Sequence, residues 1–240
     1  MQVVIPAAGR GSRLQPATDD RPKALVRIDG EPLLSYVFDA AAPVADQYVV
    51  VIGYLGGAIR ERFGDAYDGT PIRYVEQPSR AGLADALARA EPVVEGDFFQ
   101  LNGDNVLRGN VADVADVHRR HGADATLLVE RVSRERATRG GVISGGDVTA
   151  AGDGPLRVTE KPADPPSRLA VTGCFAFSQR IFESIDAIDR SDRGEYELPD
   201  AVERLASAGG RVETVRLNGW RVNVNTEADV ARAERRLSGP

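Results

Sequence analysis

A single cysteine, Cys174, stands among 240 residues, which rules out an internal disulfide and makes the reducing cytoplasm the expected compartment. The chain opens with neither a basic leader segment nor a long apolar one, in keeping with that expectation. No apolar run approaches the roughly 20 residues that a membrane-spanning helix requires, so no membrane partner is expected. A block of one charge sign is missing too. The formal net charge is −6 with both signs dispersed, which argues against a nucleic-acid surface and leaves a small-molecule partner. Lysine is the most telling scarcity: of 30 basic residues only Lys23 and Lys161 are lysines. A compact ammonium with freely rotating donors is not replaceable by a planar guanidinium in a tight phosphate site, so both become candidates for phosphate contact. The competing reading, that two lysines survive by chance, stays open at this point.

The chain has no internal repeat, linker or low-complexity segment. Strand-like and helix-like stretches alternate. The segments QVVIPAA, QYVVVIG, PIRYVEQ and DFFQLNGD read as strands, and PLLSYVFDAAAP, LGGAIRERFG and GLADALARA as the helices between them. That order predicts a mostly parallel sheet with helices on both faces. The helix VADVADVHRRHG follows, and then the strand-rich stretch ATLLVERV, GVIS, LRVTEKP and AVTGCFAF suggests a mixed extension. Helices RIFESIDAI and ELPDAVERLASA, strand VETVRL and a helix near TEADVARAERRL complete the pattern. One domain over residues 1–240 is expected, with a nucleotide half to about residue 110 and a substrate half beyond it.

The stretch IPAAGRGSRLQPATDDRPKAL sets a Gly- and Arg-rich loop directly behind the first strand. A strand running into such a turn can gather backbone amides around phosphate. The loop lacks the third glycine of a dinucleotide fingerprint and the Gly-Lys-Ser/Thr of a Walker loop. Gly9 and Gly11 permit close backbone approach, and Arg13 and Lys23 can neutralise charge on phosphoryl oxygens; a solvated turn is the alternative. Asp104, in LNGDNV, falls at the carboxyl end of a buried strand, where open α/β sheets bind ligands. It reads equally as a Mg²⁺ ligand beside phosphates or as a turn-capping aspartate.

The motif GRGSRLQPATDDRPK resembles the Gly-x-Gly-Ser/Thr-Arg and Pro-Lys signature of the sugar-1-phosphate nucleotidylyltransferases. The segments EQPSRAGLADAL, LNGDN, EKP, VTGCFAF, GEYELPDAV and WRVNVNT follow in that family's order, most like glucose-1-phosphate thymidylyltransferases and uridylyltransferases. The resemblance covers residues 2 to 232, and both lysines fall inside its motifs.

It implies a Rossmann-like three-layer sandwich with a mixed, mostly parallel central sheet. Nucleotidyl transfer from dTTP or UTP to a sugar-1-phosphate, glucose-1-phosphate above all, is the implied reaction, with Mg²⁺ as cofactor. The loop of Ala8, Gly9, Gly11, Ser12 and Arg13 would wrap the triphosphate, with Arg13 and Lys23 on the transferred and departing phosphates. Gln77 and the Gly82 backbone would meet the pyrimidine edge. Gly141, Glu160, Lys161, Gly173 and Glu195 would form the sugar-phosphate side. Asp104 would hold the metal. Relatives place a second metal-binding aspartate soon after the tryptophan; this chain has Asn223 there, a neutral oxygen donor. A guanylyl- or cytidylyltransferase and a non-catalytic nucleotide-sugar sensor are the alternatives. His118 and His121 are expected to face solvent, and Cys174 to be core. Trp220 reads either as a floor to the sugar site or as a buried anchor. The oligomeric expectation is a monomer or small homo-oligomer.

Overall fold

The computed structural model describes residues 1–145 and 156–239. The chain begins with β1 (Gln2–Pro6) and the phosphate-loop candidate, then a small antiparallel pair, β2 (Arg27–Ile28) and β3 (Glu31–Pro32). Pro32 caps α1 (Leu33–Ala41), where its fixed φ suits a helix start. There follow β4 (Gln47–Ile52), α2 (Gly56–Phe63), β5 (Ala66–Tyr67), β6 (Thr70–Glu76), α3 (Leu83–Ala88), β7 (Phe98–Leu101), β8 (Asn105–Gly109) and α4 (Val111–His121). Next come β9 (Ala125–Arg131), α5 (Arg134–Ala137), β10 (Gly141–Ser144), β11 (Arg157–Glu160) and β12 (Leu169–Phe177). The described chain closes with α6 (Arg180–Asp186), α7 (Leu198–Ser207), β13 (Val212–Arg216), β14 (Gly219–Asn223) and α8 (Glu227–Ser238).

One large sheet runs in the order β11-β10-β12-β7-β1-β4-β6-β5, with β9 joined to β12 and β13 to β9. Its first half is parallel: β1 lies between β4 and β7, and β6 pairs with β4. Beyond β7 the pairing turns antiparallel through β12, which also pairs with β9 and β10. The sheet is therefore mixed, and its parallel character belongs to the βα repeats. Where strands follow one another with no crossover helix among the described residues, as from β10 to β12, antiparallel pairing results.

Strand alternation divides the core between the two faces. Val3, Ile5, Tyr48, Val50 and Ile52 pack with α1, α2 and α4 residues such as Phe38, Ile59 and Val114. Val4, Val49 and Val51 point the other way, toward Leu87, Phe182 and Leu205 of α3, α6 and α7. A third cluster lies outside the sheet: Leu14 of the loop, Leu33, Val106 of β8, Val222, Val224 and Ala233 of α8. It ties the loop after β1 to the last helix.

One local expectation changes. His118 is fully buried, with Nδ1 at 3.1 Å from Thr126 Oγ1, because it lies on the same side of α4 as Val111, Val114 and Ala115. His121, at the exposed end of α4, sits 3.0 Å from Glu213. Cys174 is core, and burial pushes its thiol pKa up. Trp220 packs against the third cluster.

Candidate active site

The carboxyl ends of β1, β4, β6 and β7 open on one rim of the sheet, and the loop from Ala8 to Lys23 crosses it. Leu14, 1% exposed, anchors this loop in the third cluster, while Thr18 Oγ1 donates to Gly11 O at 2.9 Å. Gly11 has φ +72, and a Cβ there would meet Lys23 Cβ at 3.0 Å, so only glycine lets the turn lie against the lysine. Gly9 has open space around its Cβ position, and Ser12 is exposed. On the outer side, Arg10 lies over the Tyr54 ring and Tyr54 Oη donates to Asp19 O.

Lys23, Asp104, Asn225 and Arg13 form one network. Lys23 Nζ donates to Asp104 Oδ2 at 2.8 Å and to Asn225 Oδ1 at 2.9 Å. Arg13 Nη2 reaches the same Asn225 oxygen at 2.9 Å. Asp104 Oδ1 is buried and has no hydrogen-bond partner among the described residues. Asp104 sits just beyond β7, and its carbonyl accepts from Val224 N at 2.8 Å, which fastens the β14 end to the rim.

Asn225 was not among the expected site residues. It follows β14, whose pairing with β8 brings Asn223 opposite Asn105. Val222 and Val224 are buried in the third cluster, so Arg221, Asn223 and Asn225 share the other face. A capping box then fixes the turn: Thr226 Oγ1 accepts from Asp229 N, and Asp229 Oδ2 accepts from Asn225 N and Thr226 N at 3.0 Å each. Asn223 stands behind Asn225, its Oδ1 accepting from Asn225 Nδ2 at 2.8 Å. The alternating Arg-Val-Asn-Val-Asn pattern was the available signal, but alternation does not tell which asparagine stands at the front.

Behind this network, Arg221 and Glu130 pair at 2.7 Å with side chains 10% and 14% exposed. Arg221 also donates to Thr172 O and Asn105 Oδ1, holding β8, β9 and β12 in register beneath the rim.

The residues expected on the base side, Gln77 and Gly82, follow the end of β6. Gln77 N donates to Ile52 O at 2.8 Å, and the Cβ position of Gly53 lies 2.8 Å from Ala8 Cβ and 3.2 Å from Gln77 O, so Gln77 and the start of the loop are neighbours. Gly82 precedes α3 with φ +108, and a Cβ there would fall 2.4 Å from Tyr196 O. Substitution would drive the loop off the 194–197 segment.

That segment leads to the other expected group. Gly141 pairs with Glu160 across β10 and β11, and Lys161, φ +45, lies 3.0 Å from Glu160 through Nζ. Gly173 lies at the irregularity of β12, against Asn102 and Asn105. Glu195 is half-buried, and Glu197 behind it accepts from Ser191 Oγ and Arg193. The bond to Glu197 raises the Arg193 pKa, whereas burial, reinforced by Glu197, Glu203 and Glu160, pushes the Asp200 carboxyl up. The strip is acidic, with Lys161 and Arg193 at its edge.

The nucleotidyl transferase family model matches residues 2–222. The chain is 39% identical over 238 residues to UTP–glucose-1-phosphate uridylyltransferase AglF of Haloferax volcanii, covering 99% of this chain and 96% of that protein. It is 34% identical over 239 residues to a glucose-1-phosphate thymidylyltransferase of Streptomyces griseus, covering 98% of this chain and 65% of that longer relative. In fold it matches the crystal structure of UDP-glucose pyrophosphorylase complexed with UDP-glucose at a TM-score of 0.87, with 22% identity over 98% of this chain and 97% of that one.

Proposed function

The chain belongs to the nucleotidyl transferase family, and from that premise we propose that it joins UTP or dTTP to glucose-1-phosphate, giving a nucleoside-diphosphate sugar and pyrophosphate. The observation that carries this reading is the convergence of Lys23, Arg13, Asp104 and Asn225 at the sheet rim beside a glycine loop. UTP has the stronger support, since the relative matched over nearly its whole length is named for it.

In this reaction a phosphate oxygen of the sugar-1-phosphate attacks the α-phosphorus in line. A new P–O bond forms while the bond to the β-phosphate breaks, and pyrophosphate carries the electrons away. The nucleophile is already an anion, so no general base is required; alignment and charge neutralisation carry the step. Lys23 has three ammonium donors, two of them engaged by Asp104 and Asn225, and the third is available to a phosphoryl oxygen. Arg13, exposed on the loop, neutralises the leaving pyrophosphate. Lys161 meets the sugar-1-phosphate, and Glu160 and Glu195 accept from its hydroxyls.

The residues fit a divalent ion. Asp104 offers a buried, unpartnered oxygen, and Asn223 a neutral amide oxygen with one donor, Asn225 Nδ2, among the described residues, whereas both lone pairs of Asn225 Oδ1 are taken by Lys23 and Arg13. One carboxylate and an amide oxygen, completed by substrate phosphates, would suit Mg²⁺. When bound, the ion supplies charge compensation on the phosphates.

A pyrophosphate-release screen crossing UTP, dTTP, CTP, GTP and ATP with several sugar-1-phosphates tests the reading. Turnover with UTP or dTTP and glucose-1-phosphate is expected. Product binding without pyrophosphate release would instead identify a sensor.

A further inference from the structure

Both neighbours of the Gln77 amide are acceptors. Its Nε2 donates to Asp85 Oδ2 at 2.7 Å and to the Gly82 carbonyl at 3.0 Å, using both amide hydrogens. A carboxylate and a carbonyl cannot donate, so the amide cannot turn over without losing both bonds and setting oxygen against oxygen. Gln77 and Asp85 are buried, at 7% and 9% exposure, where such a mismatch has no water to relieve it. Arg89 completes the set, its Nη2 lying 3.0 Å from Asp85 Oδ1. The outward group is therefore Gln77 Oε1, which accepts no hydrogen bond from the described residues. Gly82, whose carbonyl takes one of the amide hydrogens, has a backbone N–H with no acceptor among the described residues.

We propose that Asp85 is a specificity-positioning residue: by holding both N–H groups of Gln77 inward it presents a fixed acceptor, beside the Gly82 donor, to the nucleobase edge. The inference rests on the reading of Gln77 as the base-facing residue. Uracil and thymine offer N3–H, a donor, with a carbonyl acceptor next to it, and match the acceptor–donor pair. Cytosine in the same seating turns an N3 lone pair toward Oε1 and is rejected by repulsion. Arg89 adds direction. In Asp85→Asn the guanidinium claims the one remaining oxygen, so the new Nδ2 faces Gln77 and works against the amide's present orientation.

The test is kcat/KM for UTP and for CTP, each with glucose-1-phosphate, in the wild type, Asp85→Asn, Asp85→Ser, Asp85→Glu and Gln77→Ala. Asn and Ser can both donate toward Gln77, and each is expected to lower the UTP:CTP ratio by about tenfold or more, mainly through KM. Glu, which only accepts, is expected to keep most of the ratio. The two donor-capable variants stand in for one another should one fail to fold. Wild-type selectivity in the folded Asn or Ser variant, with selectivity lost in Gln77→Ala, would overturn the role of Asp85 alone. Selectivity unchanged in Gln77→Ala would overturn the base-facing reading of Gln77, and the inference with it.

Discussion

Lys23 Nζ lies 2.8 Å from Asp104 Oδ2, joining the loop after β1 to the end of β7 across 81 residues of sequence. The lysine side chain is 11% exposed, and its single nitrogen bridges Asp104 Oδ2 and Asn225 Oδ1, a point-charge geometry that a planar guanidinium does not reproduce. Lys23→Arg is therefore expected to fold and to lose about 100-fold or more in kcat, measured by pyrophosphate release. Retained turnover would mean that only the charge at residue 23 matters.

Asn225 and Asn223 make a second contrast. Asn225 Oδ1 accepts from Lys23 and Arg13, whereas among the described residues Asn223 joins that network through Asn225. Asn225→Ala, which releases both cations, is expected to lower kcat the more. Asn223→Ala is expected to raise the Mg²⁺ concentration for half-maximal rate the more. A Mg²⁺ titration of the two variants decides the order.

The Arg221–Glu130 pair carries a stability prediction. Both side chains are largely enclosed, so Glu130→Ala leaves the guanidinium, among the described residues, with Thr172 O and Asn105 Oδ1 and no carboxylate. The expected loss is roughly 3–5 kcal/mol in denaturant unfolding, the range for breaking a buried ion pair. Exposed pairs such as Arg119–Asp116 are expected to contribute less than about 1 kcal/mol.

His118 gives the protein an acid-sensitive element. Burial lowers its pKa below the ordinary 6.5 against an opposing pull from Asp97 and Asp124, and Nε2 has no hydrogen-bond partner among the described residues. The unfolded chain thus binds the proton more readily than the folded one, and this contribution is present above pH 6.5 and lost as pH falls below it. Unfolding midpoints of the wild type and His118→Gln, compared between neutral and mildly acidic pH, are expected to fall less steeply for the variant. Parallel slopes would remove His118 from the account.

The parallel half of the sheet was legible because QVVIPAA and QYVVVIG hold continuous apolar runs and DFFQLNGD a shorter one broken by Gln100, all separated by helical spacing and glycine turns. Asp104 could be located from the same logic, since it ends one of those runs. The β8–β14 pair was not legible: its two five-residue strands lie more than a hundred residues apart, and neither is a continuous apolar run. Without that pair, nothing in the chain points to Asn225 rather than Asn223. His118 deceived for a related reason. Its helix is rich in Asp, Arg and His, and its buried stripe is only Val111, Val114, Ala115 and His118. Asp85 lay inside a recognised motif, but its bond to Gln77 exists only once α3 folds back beside β6.

The account depends on Lys23, Arg13 and Asp104 acting on one bound polyphosphate. The most direct measurement is Mg²⁺-dependent pyrophosphate release from UTP or dTTP with glucose-1-phosphate in Lys23→Ala, Arg13→Ala and Asp104→Ala, alongside their unfolding temperatures. Turnover lower by about two orders of magnitude or more in each, with the fold intact, is the predicted result. Near-normal turnover in all three would contradict it.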